Sequence, residues 1–222
     1  SIQWYRNDTL VQTDHLNFQG GVSRGSTNYG AKGTFIDSYG NVYVADTESD
    51  RVLRFTSAST SGTVVAGGNG RGSGAHQLNR PSSVFVDSKG VLYVSDQYNH
   101  RIMAWSPGSS SGIVVAGGNG PGSGNHQLNE PYGVCMNAQG QLIISDQQNH
   151  RIVRWTPGAY TGTRILGITG LAGMGPDMLN LPAGLFLDSK GILFIADRNN
   201  HRIQRWVSGS LFSQTVAGGY GG

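Results

Sequence analysis

Polar and apolar positions alternate along this chain in short runs. The segments "SVFVD" (83–87), "VLYVSD" (91–96), "RIMAW" (101–105) and "IVVAGG" (113–118) concentrate β-branched and aromatic residues. Separated by "SKG", "QYNH" and "SPGSSSG", they predict four strands joined by tight turns. A convincing helical period is absent. Glycine-rich stretches follow the fourth strands, "GGNGRGSGAHQLNRP" (67–81) and "GGNGPGSGNHQLNEP" (117–131). Their length fits a crossing from the outer edge of one sheet to the inner strand of the next, which the closing proline opens.

The pattern recurs. "DSYGNVYVADTESDRVLRF" (37–55), "DSKGVLYVSDQYNHRIMAW" (87–105), "NAQGQLIISDQQNHRIVRW" (137–155) and "DSKGILFIADRNNHRIQRW" (188–206) start at spacings of 50, 50 and 51 residues. A period of this size built from β-type runs predicts an all-β fold, a β-propeller of four-stranded antiparallel blades. The expected organisation is one propeller domain over 1–222, with blades at 31–68, 69–118, 119–168 and 169–219. Residues 1–30 form a partial blade in this reading, because "SIQWYR" resembles "HRIQRW" and "QGG" resembles the "AGG" that ends other copies.

Residues that recur in every copy are expected to be structural. Asp46/Arg51, Asp96/Arg101, Asp146/Arg151 and Asp197/Arg202 each stand five apart across a hairpin turn. Such pairs predict a charge-assisted hydrogen bond, single or bidentate, pinning the second strand to the third. His100, His150 and His201 close that turn, where the first copy has Asp50. A residue used identically in stacked blades faces a joint between them, not one substrate. Phe55, Trp105, Trp155 and Trp206 end the third strands and are expected to pack between blades. Cys135 replaces Phe35, Phe85 and Phe186 of the other copies and reads as a small buried hydrophobe.

Composition changes this picture little. Glycine contributes 35 of 222 residues and charged residues only 13%, which suits a turn-rich fold. The net charge of +3 comes from basic residues scattered along the chain, so a nucleic-acid footprint is not expected. No apolar run is long enough for a membrane helix. One cysteine excludes an internal disulfide framework and a cysteine-based zinc site. The sequon Asn7-Asp8-Thr9 would permit glycosylation of a secreted chain. The sequence opens on neither methionine nor a signal-like segment, which suggests that its natural start lies elsewhere.

The combination of a Pro-x-Gly strand opening, "DSKGVLYVSDQYNHRIMAW" and "VAGG" resembles the NHL repeat, over roughly residues 31–219. The resemblance implies a five- or six-bladed ring, of which this chain would be a segment. It also implies a binding module, since such propellers serve as RNA- or protein-binding domains, receptor sensor domains and secreted proteins. A related branch contains lyases and lactonase-like hydrolases with metal ligands in the central channel. The reading adopted is a non-enzymatic, extracellular scaffold, without cofactor, binding a protein or glycan. Its contact candidates are Arg71, Tyr98, Tyr132, Tyr160 and Arg198, residues of favoured interface types that differ between copies. The alternatives are a metal-dependent lyase or lactonase using Ca²⁺ or Zn²⁺, and an RNA-binding propeller. His76, His126 and Asp177 take equivalent places in successive crossings and would form a metal site only if they converged. No nucleophile elbow or phosphate loop is present.

Overall fold

The computed structural model describes residues 30–59 and 61–219, with the backbone of 5–6 and 9–10. Strands β1 (Tyr5–Arg6) and β2 (Thr9–Leu10) pair antiparallel. The sequon at Asn7 and the rest of the expected partial blade lie outside the described residues.

Four antiparallel four-stranded sheets follow, each running in chain order from inner to outer strand. The first contains β3 (Thr34–Ile36), β4 (Val42–Asp46), β5 (Arg51–Phe55) and β6 (Thr63–Gly67). The second contains β7 (Pro81–Val86), β8 (Leu92–Asp96), β9 (Arg101–Trp105) and β10 (Ile113–Gly117). The third contains β11 (Pro131–Met136), β12 (Leu142–Asp146), β13 (Arg151–Trp155) and β14 (Thr163–Leu166). The fourth contains β15 (Pro182–Leu187), β16 (Ile192–Asp197), β17 (Arg202–Val207) and β18 (Gln214–Gly218). Inner strands β3, β7, β11 and β15 touch in succession, so the sheets are consecutive blades of a β-propeller whose ring is not closed among the described residues.

Register defines two faces. Pro81 is opposite Asp96, Asp96 opposite Arg101, and Arg101 opposite Gly117. This end of each blade, where crossings meet inner strands, is here termed the upper face. On the lower face the chain turns through Asp37, Asp87, Asn137 and Asp188. Each side chain accepts two backbone N–H groups through one oxygen, as Asp87 does from Lys89 and Val91, both at 2.9 Å. These Asx turns explain why a short acceptor recurs there.

Cores form between blades. One cluster joins Tyr43, Ala45, Val52 and Ala66 of the first blade to Val84, Val94, Met103 and Trp105 of the second. Another joins Tyr93, Ile102 and Ala116 to Val134, Ile144 and Trp155. Cys135 lies in the third cluster with Ile143, Leu193 and Trp206, and burial pushes its thiol up to about 12. Inner strands approach backbone to backbone: a Cβ on Gly33 would sit 2.6 Å from the Ser82 carbonyl oxygen. The fourth blade has no such neighbour among the described residues. A Cβ on Gly184 meets nothing nearer than Ala196 at 3.9 Å, and Phe186 is 63% exposed.

Each Asp–Arg pair is present, with a single rather than a bidentate contact. Arg101 uses only Nε toward Asp96, at 2.7 Å. Its two terminal nitrogens donate to the crossing, Nη1 to Ser73 O at 2.8 Å and Nη2 to Gly74 O and Gln77 O. Arg151 and Arg202 repeat this on Ser123 and Met174, and Arg51 likewise donates Nε to Asp46 at 2.8 Å. In the last three blades the arginine therefore anchors a glycine-rich crossing through its main-chain carbonyls.

The turn after the second strand is a 3-10 turn ending in a left-handed residue: Asp50, His100, His150 or His201, with φ from 50° to 53°. That backbone turns the side chain toward the next blade. Asp50 Oδ1 accepts Arg80 N–H at 2.7 Å, His100 Nδ1 accepts Glu130 N–H at 3.1 Å, and His150 Nδ1 accepts Leu181 N–H at 3.1 Å. His100 and His150 are joint acceptors. Burial lowers the proton affinity of His150, against the pull of Asp197. A proton on Nδ1 would remove the acceptor, and the unfolded chain takes up that proton first. Stability is thus expected to fall as pH drops through the ordinary histidine range near about 6.5, then level off below the folded-state value. Urea unfolding at neutral and mildly acidic pH checks this. The loss should be smaller in His150→Asn, which keeps an acceptor and tolerates the left-handed backbone, and equal losses would refute the assignment.

Candidate functional site at the upper mouth of the channel

Four columns of the repeat at the upper face change chemical character around the blades, one of them sharing a glutamine between the second and third. They read Gly30/Arg80/Glu130/Leu181, Lys32/Ser82/Tyr132/Ala183, Thr47/Gln97/Gln147/Arg198 and Glu48/Tyr98/Gln148/Asn199. The first two flank the proline position that opens the inner strand, and the last two belong to the 3-10 turn beside it. Arg80, Glu130 and Leu181 have φ of 53°, 49° and 49°, unusual for non-glycine residues and more so before proline. Such strain is maintained only where surrounding contacts fix it.

These side chains meet across blades. Lys32 of the first blade donates to Gln97 Oε1 of the second at 3.2 Å, and its ammonium stands 5.4 Å from the ring centre of Tyr132 in the third. A first-blade side chain reaches a third-blade ring only close to the axis. Gln97 Nε2 in turn donates to Glu130 Oε2 at 3.4 Å, which also accepts from Gln148 at 3.3 Å. Arg80 donates to Glu48 at 3.0 Å and lies 5.7 Å from the ring centre of Tyr98. Burial, followed by repulsion from Arg80 and Arg198, pushes the Lys32 ammonium below its ordinary value, against the pull of Glu130 and Glu48. Three cations and two carboxylates thus share the mouth, leaving it one positive charge in excess.

Of the five contact candidates, Tyr98, Tyr132 and Arg198 belong to this mouth. Arg71 and Tyr160 do not. Arg71 donates to Asp50 at 3.0 Å, and Tyr160 stacks on His126 with ring centres 5.5 Å apart. His76, His126 and Asp177 remain on separate crossings. Among the described residues no three His, Cys, Asp or Glu side chains gather as a metal-binding group. Lys32, Glu48, Arg80, Gln97 and Glu130 were missed by choosing residues by type; comparing the copies column by column would have found them.

Grooves of about 570 and 440 Å³ open on the lower face, between third and fourth and between second and third blades. Both are lined by the recurring Asx turns, including Asn137 with Asp188 or Asp87. Their shared lining reflects blade spacing and carries none of the four upper-face columns.

The NHL repeat family model matches residues 78–103, 128–155 and 179–206, the hairpin and preceding crossing of the last three blades. The chain carries three NHL repeats over those residues. No curated protein matches the sequence of this NHL chain. Solved structures match its fold. A streptogramin B lyase superposes with a TM-score of 0.58 at 16% identity, over 85% of this chain and 54% of that one. A catalytically inactive virginiamycin B lyase from Staphylococcus aureus, with quinupristin, gives 0.57 at 17% identity over 85% and 56%. An auxiliary nutrient binding protein from Bacteroides thetaiotaomicron gives 0.59 at 18% identity over 79% and 46%. The NHL chain spans about half the length of these structures. Lyases and binding proteins thus share its architecture. Among its described residues no helix is long and apolar enough to cross a membrane.

Proposed function

We propose that this NHL propeller is an extracellular binding module that takes a small polar ligand at the upper mouth of its channel. One observation carries the reading: four changing columns of the repeat meet there, and they bring two tyrosines, three cations and two carboxylates together. Aromatic faces rimmed by hydrogen-bonding groups suit a ligand with both apolar and polar sides. The fold shared with nutrient-binding propellers agrees with this reading, and that shared with lyases makes an enzyme the rival.

A glycan array probed with the full chain and with a Tyr98→Ala/Tyr132→Ala variant tests the proposal. The chain is expected to be retained on a subset of glycans, with retention falling at least about tenfold in the variant, since lost ring stacking is worth more than about 1 kcal/mol. Retention that is unchanged in a folded variant would remove the mouth from consideration.

A further inference from the structure

The second and third blades differ at one mouth position in a way that leaves a donor stranded. In the second blade, Gln97 takes Lys32 on its carbonyl and gives its amide to Glu130. One blade on, the corresponding glutamine is Gln147, and the corresponding neighbours are Ser82 and Leu181. Ser82 already donates to the carbonyls of Pro131 and Tyr132, and Leu181 has no side-chain acceptor. Gln147 is 3% exposed, and its Nε2 has no hydrogen-bond partner among the described residues. A buried amide without an acceptor is destabilising, so its presence calls for an explanation. The same column in the fourth blade is Arg198, an exposed guanidinium whose repulsion reaches Lys32 of the first blade. Moving around the mouth, acceptors therefore give way to donors: Glu48 and Glu130 serve the first three blades, while the Gln147 amide lacks an acceptor among the described residues and Arg198 is exposed.

We infer that the mouth binds a small carboxylate ligand, an acidic sugar of the uronate type, with its carboxylate directed to Arg198 and the Gln147 amide. This deepens the binding reading above and rests on it. A guanidinium and an amide give a carboxylate charge-assisted donors, which a neutral ligand would use less well. The surplus positive charge favours a single anionic group, and the Tyr132 ring offers a surface for the C–H face of a sugar. Lys32, crowded by Arg80 and Arg198, gains from the incoming negative charge.

Calorimetric titration of the full chain with glucuronate and galacturonate, and with glucose and galactose as neutral counterparts, tests the inference. The acids are expected to bind at least about tenfold more tightly than the neutral sugars. That preference should disappear in Arg198→Gln. Gln147→Leu should weaken the acids while raising the melting temperature by about 2–6 °C, because it removes an unpaired buried donor. A merely structural glutamine would instead lower the melting temperature on replacement. Neutral sugars binding as tightly as the acids, with both lost in Tyr132→Ala, would overturn the carboxylate assignment and leave the binding mouth standing. Binding that no mouth substitution alters would overturn both. Absence of binding by either acid would overturn the assignment alone.

Discussion

Asp146→Ala is expected to destabilise the propeller by about 3–5 kcal/mol, the range for leaving one member of a buried ion pair without its partner. Asp146 is fully buried and serves three donors: Arg151 Nε and Asn129 N at 2.7 Å, and Asn149 Nδ2 at 2.8 Å. Burial pushes its carboxyl above the usual range despite Arg151, so the site already bears a desolvation cost that these donors offset. Arg151 itself is held by the carbonyls of Ser123, Gly124 and Gln127. Deleting the carboxylate therefore releases both the hairpin and the crossing that enters the third blade. Urea unfolding of Asp146→Ala, Arg151→Ala and the double variant measures the coupling. The double variant should lose clearly less than the sum of the singles. Additive losses, or a single loss under about 1 kcal/mol, would mean that the pair does not hold the crossing.

Trp155→Ala is the second large effect, with an expected loss of about 3–5 kcal/mol from the cavity and the lost burial. The indole is 1% exposed within the cluster joining second and third blades, and its Nε1 donates to Ala159 O at 2.8 Å. Gly162 lies against its ring so closely that no side chain fits there. Trp155→Phe, which copies Phe55 of the first blade, should cost clearly less than the alanine variant. Unfolding midpoints at constant slope provide the measurement, and an alanine variant within about 1 kcal/mol of the parent would refute the role.

Much of this architecture is legible in the letters because it repeats. Asp96 and Arg101 stand five apart in a pattern of short runs, and Trp105 recurs with them. Those features alone determine blade, hairpin and inter-blade packing. What the letters leave out is contact to backbone. Nothing in "GSGAHQLN" announces that its carbonyls receive the Arg101 guanidinium, since any residue supplies a carbonyl. The histidines were legible as joint residues, yet their N–H donors belong to Glu130 and Leu181, whose side chains play no part in that bond. The mouth was half legible: Tyr98, Tyr132 and Arg198 stand out by type. Lys32, Gln97 and Glu130 acquire meaning only once three blades bring them to one axis. Arg71 and Tyr160 are of the same favoured types, but local partners occupy them.

The joints described above rely on generic groups: an imidazole or carboxylate accepting a main-chain N–H, a guanidinium on main-chain oxygens, a serine or threonine hydroxyl on a neighbouring carbonyl. Main-chain groups are supplied by any sequence, so adjoining units need few matched letters to interlock. Units of this kind behave as exchangeable cassettes. Transposing two of them would preserve the scaffold while reshuffling the rim chemistry, and new recognition properties could arise by rearrangement without redesign of the interior.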